Sequence, residues 1–152
     1  NVRLAAQSRT KENFSFFKKA ASLKAVEEKT LSILEEVGLK DVMEQKAAEV
    51  SYGILRSLEI AIALATAPQL LLLDEPTSGM PHEDSFHIMN LIKKIAKGLT
   101  IVLIEHRMHV VMSVSDIITV MAQGKVIAEG PPAEVKRNAD VIRAYLGSEG
   151  AL

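Results

Sequence analysis

The sequence predicts an α/β fold built on a parallel sheet, because two short apolar runs flank a helical pattern. The first run is Leu70–Leu73 and the second is Leu99–Ile104. Between them, apolar residues recur at the i, i+3, i+4, i+7 spacing of an amphipathic helix, at Ile88, Leu91, Ile92 and Ile95. Four consecutive leucines are typical of a strand buried on both faces, the usual condition of a parallel sheet. Alternation of strand, helix and strand therefore favours an α/β architecture.

The residues before the first strand are helical in character. Residues 24–37 carry an apolar stripe at near-helical spacing, and Gly38 then ends the helix. The segment before it, around residues 13–21, contains Phe14, Phe16 and Phe17. A further helix follows Ser51 and ends before Pro68, with an apolar stripe at Leu55, Leu58, Ile62 and Ala65. We expect these helices to form a small bundle.

Shorter elements follow the second strand. A short helix is predicted over residues 108–113, and two strands over 117–121 and 126–129. The residues that join them, Ala122-Gln123-Gly124-Lys125, are typical of a β-hairpin turn. Two short helices are expected to close the chain.

The composition excludes several classes of function. A net charge of −1, from 18 basic and 19 acidic residues, argues against a nucleic-acid-binding surface, which would show a basic excess. The absence of cysteine excludes a disulfide scaffold. No apolar run approaches the roughly 20 residues of a membrane span, so we expect any membrane association to come through a partner.

Two acids directly after the first strand are the strongest candidates for chemistry. Asp74 and Glu75 follow Leu73, and in open parallel sheets ligands bind outside the carboxyl ends of the strands. Two carboxylates are costly to bury there unless something cationic meets them. A magnesium-bound nucleotide phosphate is the simplest partner. The ordinary alternative is that Asp-Glu-Pro only ends a strand and begins a turn.

Two further segments are candidates. Ser51-Tyr52-Gly53 would present backbone amides and a hydroxyl at a helix N-terminus, which binds phosphate readily. Its ordinary alternative is an N-cap serine that contributes about 1 kcal/mol to the helix. His106 follows the second apolar run, and by itself such a histidine is more often a packed or capping residue.

In this order and spacing, the segments resemble the ATP-binding subunit of ABC transporters, and most closely its branched-chain amino-acid importer branch. Ser51-Tyr52-Gly53 is similar to the signature motif and Leu70–Glu75 to the Walker B strand. Ser78-Gly79-Met80 resembles the start of the D-loop, and His106 resembles the switch histidine. The tail, over 130–135 and 141–147, is similar to the C-terminal extension of the importer branch.

The resemblance implies the C-terminal part of a P-loop NTPase domain of the ABC ATPase type. Residues 1–66 would form the helical subdomain that carries the signature motif and its helix. Residues 67–130 would form a partial RecA-like α/β core with a partial parallel sheet and the C-terminal hairpin. Residues 131–152 would form the C-terminal helical extension.

The resemblance also implies roles for individual residues, with ATP and Mg²⁺ as cofactors. Asp74 would hold the Mg²⁺ directly or through water, and Glu75 would be the general base or water-positioning residue. His106 would contact the γ-phosphate.

Nucleotide contacts would come from the signature motif and from Ser78, Gly79 and Met80. The signature motif would engage ATP held by a second ATP-binding subunit in a head-to-tail dimer. Membrane permease subunits would be the other partners, at the cytoplasmic face of the cell membrane. The transported solute is not encoded here, because specificity in such systems lies in other subunits.

The sequence departs from the family pattern in several places. It contains no Walker A motif, since its one Gly-Lys pair, Gly124-Lys125, is followed by Val126. Ile54 stands where the family usually has glutamine after the signature glycine, and Pro81 stands where the D-loop usually has Asn or Asp. Ser57 and Ile62 replace arginines, and Arg107 replaces an acid.

We therefore expect a C-terminal portion of an ATPase subunit that is inactive alone. Because the strand that carries the P-loop is missing, we also expect uncovered apolar surface on the two strands, and self-association of the chain.

Two other functions are compatible with parts of the pattern. A non-catalytic interaction or regulatory module derived from an ABC ATPase is favoured slightly by Ile54 and Pro81. DNA-repair and chromosome-organising ATPases share the signature and Walker B pattern, but they would be expected to show long heptad insertions and a basic surface, and neither is visible.

Overall fold

The computed structural model describes residues 1–9 and 20–146, which divide into two compact units, Asn1–Val102 and Leu103–Leu152. The elements of the first unit are α1 Val2–Ser8, α2 Ala20–Glu36, a 3-10 turn Lys40–Val42, α3 Tyr52–Ala65, β1 Leu70–Asp74, α4 His82–Ile95 and β2 Thr100–Ile104, whose last two residues belong to the second unit. The second unit then contains α5 Met108–Val114, β3 Ile118–Ala122, β4 Lys125–Gly130, α6 Pro132–Val135, α7 Ala139–Val141 and a π-helical turn Ile142–Leu146.

Helices and strands were predicted at nearly the right places. The strand expected over Leu70–Leu73 is one residue longer, and the one expected over Leu99–Ile104 begins at Thr100. Phe14, Phe16 and Phe17 lie outside the described residues. The predicted domain boundaries after residues 66 and 130 stay a prediction.

Helices α1, α2 and α3 pack against one another in the first unit. Helix α2 buries Val26, Ile33 and Leu34, and the chain leaves it through Gly38, whose φ of 74° lies in the left-handed region that favours glycine. The Lys94 ammonium of α4 donates a hydrogen bond of 2.7 Å to the Glu36 carbonyl at the end of α2. This cation satisfies one of the carbonyls that every helix C-terminus leaves without an intrahelical partner.

Helix α3 buries a different face from the predicted one. Its fully buried residues are Ser57, Ile60, Ala61 and Ala65, whereas Leu55, Leu58 and Ile62 are only half-buried. Of the predicted stripe, Ala65 alone is fully buried. The helix is apolar on most of its surface, so periodicity did not identify the inner face. Small side chains mark it instead, because they let the neighbouring helices α1, α2 and α4 approach closely.

Strands β1 and β2 are neighbours in a two-stranded sheet and are connected through α4. The expectation that the leucine run is buried on both faces is wrong. Leu71 is 6% exposed, but Leu70 is 49% and Leu72 is 68% exposed. Val102 of β2 is exposed as well. The predicted uncovered apolar surface is therefore present on these strands.

The second unit is built on the antiparallel hairpin β3–β4. Ala122 pairs with Lys125, so the turn contains two residues, Gln123 and Gly124, and both have positive φ, 50° and 74°. That combination is the requirement of a type I′ turn. Behind the hairpin, a small core contains Ile118, Val120, Val135 and Val141. The Tyr145 hydroxyl donates a 2.6 Å hydrogen bond to the Met121 carbonyl, which ties the last described turn to β3.

In the part of the chain that the structure describes, no helix is both long and apolar enough to cross a membrane.

Candidate functional site

The two acids lie at the end of β1, where the chain turns sharply. Asp74 is the last residue of the strand and is exposed, and Glu75 is half-buried. Glu75 has a φ of 42°, a left-handed conformation that costs a non-glycine residue roughly 1 kcal/mol or more. The turn closes with a hydrogen bond of 3.0 Å from the Ser78 amide to the Glu75 carbonyl. Backbone strain of this kind clusters at functional sites.

The turn beneath these acids is firmly packed. Pro76 and Thr77 are buried, and Thr77 is among the fully buried side chains of the described residues. The chain then passes through Ser78, half-buried, and Gly79, which is exposed with a φ of 72°. The two acids are therefore followed by a buried turn.

Pro81 follows Met80 and is the N-cap residue of α4, where no side chain makes a capping hydrogen bond. Two acids, Glu83 and Asp84, lie in the first turn of α4, where they interact favourably with the helix dipole.

Ser51-Tyr52-Gly53 lies at the start of α3, as predicted. Ser51 is the N-cap residue in extended conformation, and its hydroxyl accepts a long hydrogen bond of 3.5 Å from the Ile54 amide. Ser51 is exposed and Tyr52 is 44% exposed. The segment thus presents an amide-rich helix N-terminus on the surface of the first unit.

An arginine that the sequence analysis missed holds the tyrosine of this segment. Arg56 lies one turn along α3, with its guanidinium carbon 5.0 Å from the centre of the Tyr52 ring. Its Nη2 donates to the Tyr52 hydroxyl and its Nη1 to Glu59 Oε2, both at 2.6 Å. The hydrogen bond to Glu59 and the contact with Tyr52 raise the pKa of Arg56, against partial desolvation, so the guanidinium stays charged. The i+4 spacing of a tyrosine and an arginine on one helix was the signal that could have identified it.

Arg56 also lines a cavity beside the strand that carries the acids. A cavity of about 250 Å³ lies between α3 and β1. Its polar lining residues are Arg56, Glu59 and Asp74, and its apolar lining includes Leu71, Leu72 and Leu73. The structure therefore brings an arginine of the signature helix and the predicted magnesium-side aspartate to the walls of one cavity.

His106 belongs to the second unit and is exposed just after β2. The neighbouring Glu105 has a side chain with 0% exposure, and its Oε2 lies 3.9 Å from Nε of Arg107. Burial of a carboxylate requires such a charged neighbour. Arg107, which departs from the acid common in the family, thus has a partner within its own segment.

The residues present could hold a magnesium ion only together with water and nucleotide phosphate. Among the described residues, no group of three or more His, Asp or Glu side chains could hold a metal. Mg²⁺ is usually bound through one or two carboxylates together with water and substrate phosphates, and a single exposed aspartate is compatible with that arrangement. A phosphate cradle of the Walker A type does not occur in the 152 residues.

Comparisons with known proteins identify the family of the chain. The ABC transporter family profile matches residues 1–78, and a profile described as branched-chain amino acid ATP-binding cassette transporter matches residues 125–151. The chain is 43% identical over 116 residues to the high-affinity branched-chain amino acid transport ATP-binding protein BraF of Pseudomonas aeruginosa. The matched region covers 75% of this chain and 46% of BraF. With LivG of Escherichia coli, which has the same description, the identity is 42% over the same lengths. The chain thus spans about half the length of the curated relatives it matches.

Solved structures agree on the fold. The ATP-binding cassette MJ1267 of an ABC transporter superposes with a TM-score of 0.74 at 29% identity, over 95% of this chain and 61% of that one. CbiO1 of Clostridium perfringens, part of the ABC transporter complex cbiONQ, gives a TM-score of 0.77 at 27% identity, over 94% and 54% of the two chains. The elements of this chain are accordingly those of part of an ABC ATPase domain. The chain belongs to the ABC transporter family.

Proposed function

We propose that this chain is part of the ATP-binding and ATP-hydrolysing subunit of an ABC importer for branched-chain amino acids. The placement of Asp74 and Glu75 carries the proposal: they are adjacent carboxylates at the carboxyl end of β1, and Glu75 is held in the left-handed conformation. The substrate class rests on the relatives BraF and LivG, whose names describe branched-chain amino acid transport.

The chemistry that we propose for these residues is that of the family motifs they resemble. Asp74, exposed at the strand end, would hold Mg²⁺, which offsets negative charge on the nucleotide phosphates. Glu75 would orient the attacking water and accept its proton. His106 would contact the γ-phosphate, and Ser78, Gly79 and Met80 would line the nucleotide from the D-loop side.

The signature segment would act on a nucleotide held elsewhere. Ser51, Tyr52 and Gly53 lie at the surface end of α3, which suits contact with ATP bound to a second ATP-binding subunit in a head-to-tail dimer. Permease subunits would complete the transporter, with this subunit peripheral at the cytoplasmic face of the membrane. Because the 152 residues contain no P-loop, we expect the chain by itself neither to bind Mg-ATP tightly nor to hydrolyse it.

Substitution of Glu75 tests the mechanism in a chain to which the P-loop segment of a branched-chain relative has been joined. Glu75→Gln should reduce ATP turnover by at least about 100-fold, the scale of a general base, and leave ATP binding unchanged. Glu83→Gln, an exposed acid on α4, is the matched control and should hydrolyse normally. Undiminished hydrolysis by the Glu75→Gln protein would remove Glu75 from the mechanism.

A non-catalytic interaction module is the second candidate, favoured by Pro81 at the start of α4 and by the apolar Ile54 beside Gly53. The same joined chain separates the two functions. If the joined chain that retains Glu75 binds ATP but does not hydrolyse it, the chain is a non-catalytic interaction module.

A further inference from the structure

The signature glycine is closely packed and has an ordinary backbone conformation. Gly53 does not have a positive φ, unlike Gly38, Gly79, Gly124 and Gly130. A β-carbon at position 53 would lie 3.3 Å from Cγ and 3.5 Å from Oδ1 of Asp84. A contact of 3.3 Å is tighter than nine in ten real β-carbon contacts, so a side chain at position 53 would require the Asp84 carboxyl group to shift by a few tenths of an ångström.

Helix packing keeps Asp84 in this place. Its neighbours on α4, Ser85 and Ile88, are buried at 4% and 0% exposure, and α3 packs against α4. Asp84 itself is half-buried. No cation pairs with its carboxylate among the residues that the structure describes. A small cavity of about 110 Å³ adjoins the contact, lined by Ser51, Gly53, Ser57, Asp84 and His87 among others.

A carboxylate in this position opposes the binding of another anion. Two like charges a few ångströms apart repel, and the repulsion is larger beside a protein surface than in bulk water. We propose that Asp84 limits the affinity of the signature segment for phosphate: its negative charge against Gly53 weakens the contact of Ser51–Gly53 with phosphate. The inference rests on the proposed function only in taking that segment as the part of the chain that faces nucleotide phosphate.

Ile54 and Asp84 both lie beside Gly53. Ile54 is apolar and follows Gly53 in the sequence, and the Asp84 carboxyl group lies against the same glycine. Both features act in one direction, toward a signature that engages phosphate weakly. Nucleotide would then dissociate faster from this signature segment than from a signature segment that lacks the acid.

A titration of the 152-residue chain with pyrophosphate tests the proposal. Binding is monitored through the amide NMR signals of Ser51, Tyr52 and Gly53. Asp84→Asn should raise the apparent affinity about fivefold, which is what removal of one like charge about 4 Å away gives in water. Glu83→Gln is the matched control, since it removes a charge from the same helical turn without facing Gly53, and it should stay within about twofold of the unchanged chain. Asp84→Ser serves as a second variant should the amide distort the turn.

The salt dependence separates charge from structure. The gain of Asp84→Asn should shrink as NaCl is raised from 50 mM to 1 M, because the Debye length falls to about 3 Å at 1 M. A gain that is independent of salt would assign the effect to a rearranged turn and overturn the proposal. Equal affinity of the Asp84 and Glu83 variants, or no binding to the Asp84 variants at millimolar pyrophosphate, would overturn it as well.

These results are independent of hydrolysis. A joined, P-loop-containing chain that fails to hydrolyse ATP would overturn the proposed function and leave the pyrophosphate titration unaffected. Conversely, normal hydrolysis together with unchanged pyrophosphate affinity in Asp84→Asn would overturn only the role of Asp84.

Discussion

The residues at the start of α3 make specific contacts that the apolar periodicity of the helix does not predict. Ser51 caps the helix, and Tyr52 receives a hydrogen bond from Arg56. Gly53 packs against the Asp84 carboxyl group. Three successive residues thus have separate structural tasks within this unit, in addition to the phosphate contact we propose. Their substitution will change folding as well as binding, so stability has to be measured alongside any functional assay.

Ser51→Ala should therefore lower the free energy of unfolding modestly. Its hydrogen bond from the Ile54 amide is long, 3.5 Å, so we expect a loss near the low end of N-cap values, about 0.5 kcal/mol. Urea unfolding followed by circular dichroism measures it. Ser32→Ala, at an exposed position inside α2, is the control and should raise stability slightly, since alanine has the higher helix propensity. A loss above about 2 kcal/mol at position 51 would show that Ser51 does more than cap the helix.

At the scale of elements, turn chemistry determines the hairpin of the second unit. The β3–β4 turn has two residues with positive φ, and one of them is Gln123, although asparagine and glycine tolerate that conformation better. Gly124 is at the second position, where glycine has no steric cost.

Two substitutions in this turn should change the stability of the chain in opposite directions. Gly124→Ala should destabilise the chain by about 1 kcal/mol, because alanine with a φ of 74° is strained. Gln123→Asn should stabilise it by a few tenths of a kcal/mol, since Asn-Gly is the preferred type I′ pair. Gly98→Ala is the control, because Gly98 has no positive φ and no atom within 4 Å of a β-carbon there, and it should be nearly neutral. Thermal unfolding of the three variants is the measurement, and a neutral Gly124→Ala would contradict the turn assignment.

For the molecule as a whole, the exposed face of the β1–β2 sheet is the dominant feature of the first unit. Leu70, Leu72 and Val102 expose apolar side chains there, and among the described residues the two strands form a two-stranded sheet. Exposed apolar strands with free edges are templates for association. The ABC ATPase domains that superpose on this chain extend well beyond the matched region, so their corresponding surfaces lie within a larger structure.

We expect the chain to self-associate through this face when it is purified alone. Light scattering at increasing concentration should show species larger than a monomer, and Leu72→Lys should reduce their amount. Leu4→Lys is the control, since Leu4 is equally exposed on α1 (69% against 68%), and it should leave association unchanged. A monodisperse monomer at all concentrations would contradict the prediction.

The sequence by itself determined the order of elements, the position of the strands and the location of the candidate residues. Those properties depend on local periodicity, on turn residues such as Gly38 and Gly124, and on motifs read along the chain. Tertiary structure decided which face of α3 is buried, how far Leu72 is exposed, and that Arg56 and Asp84 flank the signature segment. These outcomes depend on contacts between residues distant in sequence, as between Gly53 and Asp84, and no local pattern specifies such contacts. A helix that is apolar on most sides gains similar free energy from burying either face, so the shape of its neighbours makes the choice.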